Sequence, residues 1–169
     1  MFTKAAIEKY FTGEKQESLL FLGIGIAAIA TALIFLLIIK TSFFNGMALP
    51  LLVLGIMLAI VGYTIYKRSD DDRKRNVYAY DMNPGQLKEK EIPRMEVVMK
   101  NFVAYRYIEI TLAAIGLFLC FYFNHKPAHS FWQGLGLGLS IMALLALGAD
   151  YFAEQRGRLY LDGLKSFVK

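Results

Sequence analysis

The chain has 169 residues, of which 56% are hydrophobic and only 20% are charged, and its mean hydropathy is +0.42. This composition excludes a disordered or collagen-like chain, and the single cysteine excludes a disulfide framework. The formal net charge is nevertheless +5, so the charged residues must be concentrated in particular segments.

Four apolar stretches predict transmembrane helices, because a helix needs about 20 apolar residues to cross a hydrocarbon core about 30 Å thick. Residues 18–39, 41–66 and 127–149 contain no Asp, Glu, Lys or Arg. The third stretch in chain order is weaker, since only residues 110–124 are uncharged. To reach about 20 residues, this span must extend back to residue 105. We count it as a span because an even number of spans places both charged termini on one side of the membrane.

The basic residues predict which side that is. Seventeen of the 19 Lys and Arg residues lie before the first span, between the second span and the uncharged part of the third, or after the fourth. The other two, Lys40 and Lys126, lie in short links. The positive-inside rule therefore predicts an integral protein of the plasma (bacterial inner) membrane with both termini cytoplasmic. The lipid bilayer, with anionic headgroups at its cytoplasmic face, is the expected partner, and nucleic acid is not.

The predicted fold is an all-α integral membrane bundle of four transmembrane helices. Its expected segments are an interfacial helix, a first hairpin, a cytoplasmic loop and helix, a second hairpin and a tail helix. In that order they cover residues 1–17, 18–66, 67–104, 105–152 and 153–169.

Local signals predict where helices end outside the membrane. Gly13 is a reasonable break before the first span, and residues 69–75 (SDDDRKR) and Asn83-Pro-Gly are typical of loops. Pro93 suits a first helical turn, and a helix from there to Phe123 would be longer than the membrane is thick. We therefore expect helices 3 and 4 to extend into the cytoplasm.

An internal repeat is predicted from two matching decapeptides. Residues 42–51 read SFFNGMALPL and residues 130–139 read SFWQGLGLGL, an offset of 88 that also aligns Tyr63 with Tyr151. Upstream, an offset of 91 aligns Gly25 with Gly116. We interpret these as two tandem hairpins forming a parallel repeat, with a pseudo-twofold axis along the membrane normal. The alternative is that apolar spans resemble one another through composition alone.

Glu109 is the deepest ionisable residue of the predicted spans. It lies 15 residues, about 22 Å of helix, from Asn124, and a carboxylate at such depth is costly enough to indicate function. Arg106 precedes it by one helical turn and could pair with it. Asp150 closes the fourth span and could also contact Arg106. These three residues are candidates for an ion or proton site, and the alternative is an ion pair that only fixes helix packing.

Two stripes of small residues predict close helix packing, within one chain or between chains. Gly23, Ala27 and Thr31 recur at intervals of four in the first span, and Gly134 and Gly138 do so in the fourth. Small residues let helix backbones approach one another in a membrane.

His125 and His129 are weak metal candidates. They are four residues apart, but Pro127 intervenes and the sequence offers no third ligand nearby. We therefore expect no metal and no cofactor.

No enzyme motif stands out in the chain, so we predict a non-enzymatic protein. The preferred hypothesis is a multi-pass membrane scaffold or accessory subunit that acts through helix–helix packing, in a homo-oligomer or with a membrane-protein partner. The alternative is a small oligomeric ion channel or carrier that uses Glu109.

Overall fold

A computed structural model describes residues 2–168, which form four long helices. They are α1 (Lys4–Ile39), α2 (Ser42–Met82), α3 (Pro84–Phe123) and α4 (Pro127–Phe167). Each helix is long and apolar enough to cross a membrane, so the predicted four-helix class is confirmed. Two residues lie outside the described part of the chain. They are Met1, the first residue of the predicted 1–17 segment, and Lys169, the last residue of the predicted 153–169 segment.

The four helices pack as two hairpins joined through their second members. Helix α1 packs along α2, α3 packs along α4, and α2 packs against α4. Over residues 2–168, α1 and α3 hardly touch. The bundle is therefore a row in the order α1, α2, α4, α3, with a gap between its outer helices.

The best-packed core lies at one end of the bundle, which we call the charged end. It contains Phe2, the α2–α3 turn at Asn83 and the end of α4 at Phe167. All four helices contribute to its core, and the rings of Tyr10 and Tyr160 stack there with centroids 4.1 Å apart. Its buried members are Phe2, Ile7, Tyr10, Phe11, Ala79, Leu87, Met95, Tyr160, Leu161 and Leu164.

The opposite half of the bundle, the apolar half, presents most of its side chains outward. Between 11% and 28% of the residues in the most apolar window of each helix are buried within the chain. Ala28, Ala32, Ala48, Leu51 and Met142 form a small core there. Hydrocarbon is as apolar as leucine, so a surface of this kind is stable in lipid.

The SDDDRKR stretch, residues 69–75, is helical, so the loop predicted there is wrong. It continues α2, which ends only at Met82. Asp72 accepts hydrogen bonds from Arg75 at 2.7 Å, and Lys15 of α1 binds Asp70 at 2.5 Å. These contacts with the preceding turns and with α1 support a helix whose sequence locally resembles a loop.

The expected break at Gly13 is also absent from the described chain, because α1 continues through it without interruption. The missing side chain makes room for Arg156, whose Cδ lies 3.0 Å from the position a Cβ would occupy. Phe2, Ile7 and Phe11 consequently enter the bundle core rather than lying on a membrane surface. Pro93 lies in the first turn of the α-helical part of α3, as predicted.

Candidate functional site

Glu109 and Asp150 face one another across α3 and α4. Their carboxyl groups lie within hydrogen-bonding reach of each other, in a cavity of about 430 Å³ that Arg106, Glu154 and Arg158 also line. Over residues 2–168, no N–H or O–H group donates to the buried Oε2 of Glu109. A hydrogen bond between two carboxyl groups requires that one of them carries a proton.

Arg106 does not form the ion pairs predicted with Glu109 or Asp150. Its guanidinium binds Glu154 instead, which also accepts a hydrogen bond from Arg158 at 2.6 Å. Glu154 lies one helical turn beyond Asp150, towards the charged end, and a long arginine side chain extends in that direction more easily than towards hydrocarbon.

Glu154, like Arg158, is a member of this cluster that sequence reasoning missed. It is 6% exposed, and hydrogen bonds from Arg158 and Arg106 lower the pKa of its carboxyl group. The only signal in the sequence was the spacing of four residues to Asp150 on one side and to Arg158 on the other, which places all three on one helix face.

A second cavity, which we call the gap cavity, lies between α1 and α3 where the charged end meets the apolar half. It has a volume of about 410 Å³ and is lined by residues of all four helices. Its charged residues are Glu14, Glu17, Arg68, Asp150 and Arg156. Asp150 therefore lines both cavities.

The acidic residues of the gap cavity have different environments. Glu14 is largely buried, and it accepts a hydrogen bond from Ser69 at 3.1 Å. Burial raises the pKa of its carboxyl group above the usual range, and the nearby Arg68 opposes that shift. Glu17 pairs with Arg156, whose guanidinium also lies over the ring of Tyr10, 5.7 Å from its centroid.

The Gly134 and Gly138 stripe packs inside the chain, at the contact of α2 with α4. A Cβ on Gly134 would meet the carbonyl of Phe43, and a Cβ on Gly46 would meet the carbonyl of Phe131. These two contacts are reciprocal at the offset of 88. Gly138 lies against Pro50, whose Cγ would be 2.8 Å from a Cβ at that position.

The contacts within the two hairpins do not follow the offset of 91. A Cβ on Gly25 would be 2.6 Å from the carbonyl oxygen of Gly55, and a Cβ on Gly116 would be 2.8 Å from that of Gly136. The offset of 88 would match Gly55 with Ala143 rather than with Gly136. When α2 and α4 are aligned by the offset of 88, the contact of α3 on α4 therefore lies about two helical turns away from the contact of α1 on α2.

In the stripe of Gly23, Ala27 and Thr31, the first two residues face away from the rest of the chain and Thr31 is half-buried. A Cβ on Gly23 would meet nothing within 4 Å, and Ala27 is exposed. The opposite face of α1, with Gly25, Ala28 and Ala32, is buried against α2. Helix α1 thus has small residues on two faces, and one of them is unoccupied.

The two histidines lie in and beside the short α3–α4 connection, and both are exposed. His125 approaches the side chain of Asn124 at 3.5 Å, and the His129 ring lies 5.4 Å from that of Phe123. Within residues 2–168, no group of three His, Cys, Asp or Glu side chains converges as metal ligands would.

No family model, curated protein or solved structure matches this chain. Its fold defines a class nonetheless: an all-α bundle of four helices that can each cross a membrane. Two of its cavities are lined by charged residues and share Asp150.

Proposed function

We propose that the protein is a non-enzymatic multi-pass membrane scaffold or accessory subunit that binds another transmembrane helix through the outward face of α1. The observation that carries this proposal is the Gly23, Ala27 and Thr31 stripe, in which Gly23 meets nothing within 4 Å and Ala27 is exposed. Gly148 of α4 also faces open space, but Leu144 and Phe152 flank it at intervals of four. Of these two open positions, only Gly23 belongs to a surface on which a second helix backbone could pack closely.

The partner we propose is a second copy of the chain. Gly23→Ile should weaken self-association in lipid vesicles by about tenfold or more, because the new side chain separates the two backbones. The fold should be unaffected, since the position is open within the chain. Energy transfer between donor-labelled and acceptor-labelled chains measures the association.

Gly148→Ile is the matched control, because it adds the same side chain at an open position outside the stripe. It should leave energy transfer unchanged. If Gly23→Ile and the wild-type chain associate equally well, the outward face of α1 is not the interface.

The charged end is assigned to the cytoplasm in this proposal. Most of the Lys and Arg residues lie in the segments that form it, which supports cytoplasmic termini in a plasma membrane. Its basic side chains would then face anionic lipid headgroups.

Cysteine labelling should verify this orientation. Met82 is 70% exposed at the charged end, so Met82→Cys should react with a membrane-impermeant maleimide only after the cells are opened. Ala128→Cys, exposed in the first turn of α4 next to the α3–α4 connection, is the control and should react in intact cells. Both variants should carry Cys120→Ser, so that the signal has one source. Reaction of Met82→Cys in intact cells would reverse the orientation.

We also propose that the two hairpins arose by duplication. The reciprocal contacts of Gly46 with Phe131 and of Gly134 with Phe43 support a twofold relation between α2 and α4. The shifted register of the outer helices limits that relation to α2 and α4.

A second candidate function is a small oligomeric channel or carrier, and the Glu109–Asp150 pair specifically favours it. Glu109→Gln separates the two functions. Arg106 keeps its partner Glu154 in this variant, so we expect the melting temperature to change little. A scaffold shows no proton or cation flux in proteoliposomes before or after the substitution.

A carrier behaves differently in the same assay. It shows flux in the wild-type chain that disappears in a folded Glu109→Gln protein. Glu96→Gln is the control, because this exposed carboxylate pairs with Lys165 outside both cavities. We expect the result for a scaffold, and flux that depends on Glu109 would replace our preferred function with the second one.

A further inference from the structure

We propose that the gap cavity binds the phosphoethanolamine group of a zwitterionic aminophospholipid, which enters from the membrane between α1 and α3. This site goes beyond the proposed function, because it does not involve the outward face of α1 and shares only Asp150 with the Glu109 cavity. It requires only that the junction of the charged end with the apolar half lies at the membrane surface.

Two residues that line the gap cavity, Glu17 and Arg156, carry an unused hydrogen-bond acceptor and an unused donor. Oε2 of Glu17 and Nε of Arg156 are buried and have no hydrogen-bond partner within residues 2–168. Oε1 of Glu17 pairs with Nη1 of Arg156, so the two unused atoms belong to one ion pair. A ligand with both an ammonium and a phosphate group satisfies both atoms, whereas an anion leaves Glu17 unsatisfied and a cation leaves Arg156 unsatisfied.

Arg68 supplies a second guanidinium for the phosphate. Its contacts with Glu14 and Asp72 are 3.8 and 3.9 Å long, beyond hydrogen-bonding distance, and its side chain is 47% exposed. The guanidinium can therefore turn towards a phosphate without losing a strong hydrogen bond. Arginine is well suited to this role because its N–H groups match two phosphate oxygens at once.

The carboxylates favour a primary ammonium over a quaternary one. Glu14, Glu17 and Asp150 outnumber the two arginines of the cavity, and an ammonium group donates three hydrogen bonds to such oxygens. A trimethylammonium group donates none and is larger. The site should therefore distinguish phosphatidylethanolamine from phosphatidylcholine.

The position of the cavity favours a lipid as the source of this headgroup. Its wall towards the apolar half includes Phe21, Val61 and Tyr105. Because α1 and α3 hardly touch, acyl chains can leave the cavity sideways between them. A headgroup bound at the charged residues thus keeps its chains in the hydrocarbon.

Native mass spectrometry of the purified chain tests the site. The probes are phosphatidylethanolamine, phosphatidylcholine and phosphatidylglycerol of identical acyl chains, supplied in equal amounts. We expect phosphatidylethanolamine adducts to exceed each of the others by about tenfold. Equal retention of phosphatidylcholine, or a preference for phosphatidylglycerol, would overturn the proposal.

Charge-neutral variants locate the binding. Arg68→Gln and Glu17→Gln should each abolish the preference for phosphatidylethanolamine. Arg75→Gln and Glu96→Gln remove ion pairs outside the gap cavity and should retain it. If the preference survives both cavity substitutions, the lipid binds elsewhere.

Thr64→Trp provides a variant that keeps every charge. Thr64 is an exposed residue lining the cavity, so an indole there should block entry while the Glu17–Arg156 pair remains. Loss of the preference in a folded Thr64→Trp protein supports the site even if Glu17→Gln fails to fold, and persistence of the preference contradicts it.

Soluble phosphoethanolamine distinguishes the source of the headgroup. We expect millimolar amounts to leave the lipid adduct in place, because the acyl chains contribute to retention. If the soluble compound displaces the lipid and is itself retained, the chemistry of the site stands and its membrane source is wrong.

Discussion

Replacing Gly134 with leucine should separate the two hairpins. A Cβ at this position would overlap the backbone carbonyl of Phe43 and lie 3.2 Å from the backbone nitrogen of Met47. Overpacking usually costs about 1–3 kcal/mol when side chains can adjust. Here the obstacle is helix backbone, so we expect the free energy of unfolding to fall by more than that range. A large drop in melting temperature in mild detergent, with cleavage by protease at 25 °C, is the expected measurement.

The reciprocal substitution should lower the free energy of unfolding by the same amount. Gly46→Leu introduces the same clash from the other side, against the carbonyl of Phe131. Gly148→Leu is the control, since a side chain at that position meets open space, and it should melt like the wild-type chain. A Gly134→Leu protein that melts with the control would mean that α2 and α4 are not in this contact.

Phe11→Ala should produce the second large effect, at the opposite end of the bundle. The Phe11 side chain is completely buried in the core of the charged end, and truncation of a buried phenylalanine costs about 3–5 kcal/mol. Denaturation of the reconstituted protein, followed by tyrosine fluorescence, measures the loss.

Leu159→Ala is the matched control for this core. Leu159 is 76% exposed although its neighbour Tyr160 is buried, so its truncation should change stability by less than about 0.5 kcal/mol. Equal effects of the two substitutions would show that the charged end does not form the packed core described above.

Hydropathy predicted the four helices because membrane crossing depends on composition over about 20 residues. Local loop signals failed at Gly13 and at residues 69–75, because both positions are helical. Burial of Phe11 and the Lys15–Asp70 pair stabilise helix there, and these are contacts between helices. A rule that considers neighbours in sequence cannot include them.

The candidate site was predicted in part, for a related reason. The depth of Glu109 and the position of Asp150 follow from distances along single helices, and these two residues do face each other. The partner of Arg106 depends on how α3 and α4 are aligned. A shift of one helical turn between α3 and α4 makes Glu154, instead of Asp150, the partner of Arg106. Residue spacing does not determine that alignment to within a turn.

The core of the charged end has a consequence for biogenesis. It joins Phe2, Ile7 and Phe11 to Tyr160 and Leu164, so the start of α1 packs against the end of α4, which is synthesised later. When α1 and α2 have entered the membrane, the charged end of their hairpin therefore stays open until α4 has been made. During that interval the exposed aromatic face is a target for membrane chaperones and proteases, which makes completion of α4 the step that protects the whole chain.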